Sequence, residues 1–244
     1  EYPPDYSLLG HKPEYSISHT SRGCVRHCGF CMVSKVEPKF TDRPNWAQDL
    51  HPDTTKALFY DNNWLAKPKK AWYRDVATLH DLVRSRRVRS IDFNQGLDAR
   101  LMTEAKADAL KGLPFHPMRF AFDDMHEDGP FQKAIEIMAV RGFRDFIIYG
   151  LYNYKDTPKD FYYRLSECAR LSQELGVLVP IFPMRFQPIL KIDNHRKYVG
   201  EHWTLKERTA FMNLINTQPS GVINCRTTQS FKYWFGDNAD QFKK

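Results

Sequence analysis

The sequence predicts an α/β protein built on parallel strands, and three observations carry that expectation. Six short runs rich in β-branched and aromatic residues recur along the chain, each bounded by turn-forming residues. Helix-patterned stretches separate most of them, so that strand and helix alternate. The 244 residues are 42% hydrophobic and 14% aromatic, enough to bury a core as one large or two small domains. A crossover between parallel strands needs a connection as long as these helical stretches, so the alternation implies a parallel sheet covered by helices. A barrel and an open doubly wound sheet both satisfy the pattern.

The elements follow in order. The opening EYPPDYSLLG reads as linker, with its prolines and tyrosines, and residues 1–13 are expected to follow a segment upstream of Glu1. The first strand is expected in YSISHTS (15–21). From Ser34 to Thr55 the chain is polar and proline-containing, a long loop with room for a short helix. The second strand is KALFYD (56–61), followed by a helix over 68–87, and the third is RSIDFNQ (89–95). Thr103 is the expected N-cap of a helix over 103–112, because its hydroxyl can accept from an otherwise orphaned N–H. The fourth strand, MRFAFDD (118–124), precedes a helix over 129–141 with Pro130 in its first turn. The fifth, DFIIYGL (145–151), precedes a helix over 158–175 closed by Gly176, and the sixth is VLVPIFPM (177–184).

The net charge of +7 suits an anionic partner such as RNA, DNA or a phosphorylated cofactor; a solvated basic face is the plainer alternative. The densest basic run, VRSRRVRS (83–90), sets Arg84, Arg86, Arg87 and Arg89 at the expected end of a helix, where cations also offset the helix dipole. The sequence shows neither an apolar run of about 18 residues nor a charged-then-apolar leader, so neither a membrane span nor a secretory signal is read, and a cytoplasmic location is expected.

Parallel α/β folds place functional groups at the carboxyl ends of their strands. Here those ends are polar: Asp61, Asn62 and Asn63 after the second run, Asn94, Gln95, Asp98 and Arg100 around the third, Asp123 and Asp124 after the fourth, Asn153 after the fifth and Arg185 after the sixth. Any one of them is an ordinary turn residue. Acids, amides and arginine at five strand ends together argue for one polar site.

Just beyond the first strand lies RGCVRHCGFC (22–31), which holds three of the chain's 5 cysteines as Cys24-x3-Cys28-x2-Cys31. Four readings compete. A disulfide framework fits poorly with an odd, clustered set. Structural zinc usually takes four protein ligands, and Cys168 and Cys225 lie far along the chain, which leaves His27 inside the loop as a strained fourth ligand. An electron-transfer iron–sulfur cluster normally closes its irons with four cysteines. Three thiolates would leave one iron of a cubane open, and an open position is what separates a reactive metal centre from a structural one.

These residues resemble the motif of the radical S-adenosylmethionine (SAM) enzymes, Cys-x3-Cys-x2-Cys with an aromatic residue before the last cysteine, here Phe30. The stretch SISHTSRGCVRHCGFC is similar to the strand followed by Ser-Arg-Gly-Cys in the subgroup of cobalamin-dependent radical enzymes and methylthiotransferases. The resemblance implies a partial (β/α)6 barrel of the TIM type over residues 14–190, with 191–244 as an extension. It implies a [4Fe–4S] cluster on Cys24, Cys28 and Cys31, with SAM chelating the fourth iron. One-electron cleavage of SAM would then give a 5′-deoxyadenosyl radical for hydrogen abstraction, the electron coming from a donor such as flavodoxin or ferredoxin. Asp61-Asn62-Asn63 stands where many members carry Gly-Gly-Glu for the methionine amino group, so Asp61 is implied as acceptor from the SAM ammonium, and Asn62 and Gln95 are expected among the cofactor-binding residues. AFDD aligns with Gly-x-Glu-Ser, implying Asp123 and Asp124 near the ribose hydroxyls or the amino group. IIYGLYN resembles the fifth-strand glycine motif near the adenine, with Gly150 matching and Tyr152 where proline is common. Arg185 is implied at the SAM carboxylate or an anionic substrate, with a rim salt bridge as the alternative.

Two leftover thiols, Cys168 in a helix pattern and Cys225 in GVINCRTTQSF, are too few for an auxiliary cluster, which argues against methylthiotransferase chemistry within this chain. Cobalamin enters through the subgroup, whose cobalamin domain would precede residue 1. The tail carries one helix pattern at 204–216 and four aromatic anchors, Trp203, Phe211, Tyr233 and Trp234, expected to pack on the barrel. Its basic patch His195-Arg196-Lys197 is an alternative substrate contact. The competing function class is a non-catalytic iron–sulfur or zinc module that binds nucleic acid.

Overall fold

A computed structural model describes residues 3–188 and 197–241. The chain divides into two compact units, residues 1–119 with 141–143, and residues 120–140 with 144–244. Each is mixed α/β.

In the first unit, β1 (Ser16–Ser18) pairs in parallel with β4 (Lys56–Phe59), and β4 with β5 (Ser90–Phe93). Between β1 and β4 come β2 (Ser21–Arg22), the single-turn helix α1 (Val33–Val36) and β3 (Thr41–Asp42). β2 and β3 pair antiparallel with Ser21 opposite Asp42, so they close residues 23–40 into one loop. The strand expected over 15–21 is interrupted because Thr20 gives its N–H and hydroxyl to a carboxylate instead of continuing the ladder. α2 (Lys69–Arg84) buries Trp72, Asp75, Val76 and Leu79, the one-face spacing of an amphipathic helix. Alternate residues of β4 and β5 point inward, and Phe59 stacks on Phe93 at 4.7 Å, Phe93 on Trp64 at 4.2 Å. α3 (Glu104–Leu110) starts where expected, with the Thr103 hydroxyl accepting from the Lys106 N–H at 3.3 Å. On the far side of β5 a single parallel bridge, Ile91 to Phe115, replaces a ladder.

The second sheet has the order β6 (Met118–Ala121), β7 (Phe146–Tyr152), β8 (Ile181–Arg185), with β7 and β8 parallel. All six expected strands are therefore present, in two three-stranded sheets, and no closed barrel is found among the described residues. In the second unit α4 (Pro130–Val140) lies between β6 and β7, and α5 (Pro158–Leu175) between β7 and β8. α5 opens on a capping box between Thr157 and Asp160 and closes on Gly176 at φ 62°. The tail forms α6 (Leu205–Asn216), capped by Thr204 and Glu207, and α7 (Thr228–Phe235). Trp203 and Phe211 are buried against Tyr152. Two of the expected anchors are not: Tyr233 is 81% and Trp234 48% exposed, while Phe231 and Phe235, one helical turn apart on α7, are buried in their place. Lys197 is exposed, and His195 and Arg196 lie outside the described residues. Among the described residues no helix is long and apolar enough to cross a membrane.

Candidate metal centre

Cys24, Cys28 and Cys31 form no disulfide and lie half-buried on the loop that β2 and β3 close. The loop begins at Gly23, at φ 76°, where a Cβ would stand 2.3 Å from the Lys39 carbonyl oxygen; only glycine allows the two ends of the loop to approach this closely. Cys31 N–H donates to the Cys28 carbonyl at 3.0 Å, making a tight turn between the last two cysteines.

Carboxylates fasten this loop from three directions. Asp61, at the end of β4, is 1% exposed and accepts from Thr20 N–H at 2.8 Å, Thr20 Oγ1 at 2.7 Å and Ser21 Oγ at 2.6 Å. Burial outweighs these donors and pushes its pKa up. The structure thus places the Asp61 carboxylate among donors of the strand that leads into the cysteines. Glu37, just past α1, accepts from Gly23 N–H at 2.9 Å, from Asn62 Nδ2 at 2.7 Å and from Arg22. Burial works to raise its pKa, and the Gly23, Arg22 and Asn62 bonds together hold it below the ordinary value. Asp98, beyond β5, accepts from Arg26 between the first two cysteines, and from Arg100 Nε at 2.7 Å. There too burial is opposed by Arg100 and Arg26, which keep the carboxyl ionised and its pKa lowered.

Asn63 connects these groups. It is 4% exposed, and its Nδ2 donates to Cys24 Sγ at 3.6 Å and to Asp98 Oδ2 at 3.3 Å, while its Oδ1 is buried with no partner. Beneath Thr20 sits Lys67, wholly buried, with Nζ 2.8 Å from the Thr20 carbonyl and ion-paired to Asp75 and Asp42. The strand-end residues Asp61, Asn62, Asn63 and Asp98 therefore do meet at the cysteine loop; Gln95 is exposed on the turn after β5. Glu37 and Lys67 had no signal in the sequence, since a lone acid in a polar loop and a lysine before a proline look like surface residues.

In the second unit Asp123 accepts from Leu151 N–H at 2.9 Å and donates its own N–H to Glu127 at 2.7 Å, joining β6 to β7. Asp124 caps the following turn, accepting from His126 N–H at 2.8 Å. Gly150 is a packing residue in β7: a Cβ would lie 2.6 Å from Ile181 Cδ1. Arg185 Nη1 is 3.0 Å from Met212 Sδ of α6. Asn153 holds the tail, accepting from Gly200 N–H at 2.8 Å. Arg164 of α5, unmarked in the sequence, is fully buried and donates to the Phe122 and Leu151 carbonyls at 2.8 Å each and to Asp156 at 2.8 Å. In the basic run, Arg87 is spent on the carbonyls of Leu50, His51 and Thr54, leaving Arg84, Arg86 and Arg89 exposed.

Among the described residues no group of three or more His, Cys, Asp or Glu side chains is gathered in a metal-holding arrangement. The donor chemistry suits an iron–sulfur cluster all the same: three cysteines outside any disulfide on one loop, a buried amide donating to one of them, and a buried acceptor beside it without a donor. Cys168 and Cys225 are unsuited, because burial raises both thiols, Cys225 to about 11 and Cys168 further.

No family model matches the sequence, and no curated protein matches it. Among solved structures the chain is similar to the radical SAM methyltransferase TsrM from Kitasatospora setae, whose structure has cobalamin and a [4Fe–4S] cluster bound, with a TM-score of 0.50 and 12% identity. The match covers 71% of this chain and 37% of that one, so the chain spans well under half of that enzyme's length. At this identity the likeness is one of fold alone: the chain shares its mixed α/β architecture with that structure.

Proposed function

We propose that this chain is a radical SAM enzyme, with Cys24, Cys28 and Cys31 as the ligands of a [4Fe–4S] cluster and SAM at the remaining iron. The observation that carries the reading is the loop itself: three cysteines outside any disulfide within residues 23–40, seated where β1, β4 and β5 end and fastened there by Asp61, Glu37 and Asp98. When bound, the cluster supplies the electron that cleaves SAM to methionine and a 5′-deoxyadenosyl radical.

The chain's own residues hold and orient. Asp98 and Asn63 fix the Arg26 and Cys24 side of the loop, and Glu37 with Asn62 fixes the Gly23 side. Asn63 Oδ1 is the acceptor for the SAM ammonium, since it is buried beside Cys24 and lacks a donor, whereas the Asp61 oxygens are already engaged. An acceptor buried without a partner costs about 1–3 kcal/mol, and a ligand N–H would recover it.

Anaerobic reconstitution with iron and sulfide, followed by dithionite and SAM, tests the assignment. The expected product is 5′-deoxyadenosine, and an intact cluster that leaves SAM uncleaved would overturn the reading. Because the similar enzyme is a methyltransferase with bound cobalamin, methyl transfer with added cobalamin is the first substrate chemistry to assay.

A further inference from the structure

Asn63 brings a side-chain amide onto a thiol of the loop, that of Cys24. Its orientation is fixed by its second partner: a carboxylate oxygen only accepts, so the group facing Asp98 Oδ2 at 3.3 Å, and with it Cys24 Sγ at 3.6 Å, is the NH2 and not the oxygen. Asp98 is itself held by Arg26 and by Arg100, so the amide is kept on the sulfur rather than free to turn toward water. The same sulfur accepts from the Arg26 backbone N–H at 3.4 Å. Cys24 Sγ thus has two N–H donors. Hydrogen bonds to a ligand sulfur draw charge from it, which favours the form of the centre carrying one more electron.

We infer that Asn63 tunes the centre through Cys24, holding its reduction potential above the value it would have without the amide. The inference rests on the iron–sulfur reading proposed above. Asn63 acts through a ligand and is in this respect a positioning residue, tied to the site by Asp98.

The test is an anaerobic redox titration of the reconstituted protein followed by electron paramagnetic resonance, with iron measured per chain. Asn63→Leu, of similar volume and without a donor, should take up wild-type iron and titrate at a more negative potential. Asn63→Ser, too short to reach the sulfur, should shift in the same direction and serves if the leucine variant does not fold. Thr20→Val loosens the base of the loop by removing a donor to Asp61 without touching Cys24, and should titrate with the wild type. Wild-type potential in an iron-loaded Asn63 variant would overturn the inference alone. So would an equal shift in Thr20→Val, which would trace the effect to loop position, or folded Asn63 variants that take up no iron. A wild-type chain that binds no iron would instead overturn the functional reading beneath it.

Discussion

Asp61 shows how a strand-end carboxylate can serve a site by standing behind it. Its three short bonds take the Thr20 N–H and the hydroxyls of Thr20 and Ser21, and it is 1% exposed. Asp61→Ala strands those donors in the interior and is expected to cost on the order of 3 kcal/mol, as charged hydrogen bonds of this kind do. Asp61→Asn keeps one acceptor oxygen and should cost less. Denaturant midpoints of the two variants check the ranking, and an unchanged midpoint for Asp61→Ala would show that the bonds carry little.

A second residue gives a pH dependence. Hydrogen bonds from Arg74 at 2.8 and 2.9 Å, with Lys67 beside them, hold the Asp42 carboxyl at about 2, below its ordinary 3.8. A lowered native pKa means that the unfolded chain binds the proton first as the solution is acidified. The contribution is therefore complete above about pH 4 and is lost as the pH falls toward 2. Unfolding measured across that window should show a shallower loss of stability for Asp42→Asn than for the wild type.

At the scale of elements, β7 and β8 are joined by a close approach at Gly150. The resemblance implies this glycine near the adenine, and the structure shows it tightly packed: Ile181 Cδ1 and Cγ1 lie 2.6 and 3.1 Å from where a Cβ would be, and Phe161 at 3.4 Å. Gly150→Ala should destabilise by about 1–3 kcal/mol, the usual cost of overpacking. Ile181→Val removes the nearest atom, so the double variant should lose less than the sum of the two single ones. Thermal unfolding of the four proteins forms the cycle, and strict additivity would mean that the contact is relieved elsewhere. Helix ends behaved differently: Thr103 and Gly176 could be named in advance because a cap is a local event, made by a side chain or a φ angle within a few residues of the helix.

For the molecule as a whole, the metal content is the measurement with most reach. If Cys24, Cys28 and Cys31 are the sole ligands of one cubane, the anaerobic protein should hold about four irons per chain. Replacing all three with Ala should remove the iron and leave the far-ultraviolet circular dichroism unchanged, since these thiols are half-buried rather than core. Replacing Cys168 and Cys225 should leave the iron where it was, as both are buried thiols with raised pKa. A count near eight, or one that falls with Cys225, would mean that the tail supplies ligands.

The sequence by itself determined the six strands, most of the helices and the place of the cysteine loop, because alternation of period two, helical period and cysteine spacing are all properties of neighbours in the chain. It also marked α6, but not α7, where the aromatic run FKYWF offers four candidates for two buried positions and only the surface beneath selects Phe231 and Phe235. Tertiary structure alone decided what the polar residues do. Asp61 meets Thr20 across 41 positions, Arg26 meets Asp98 across 72 and Asn63 meets Cys24 across 39. No local pattern encodes such pairs. Each forms because folding carries a charged or polar group out of water, and a group so placed is stable only where another part of the chain supplies its partner.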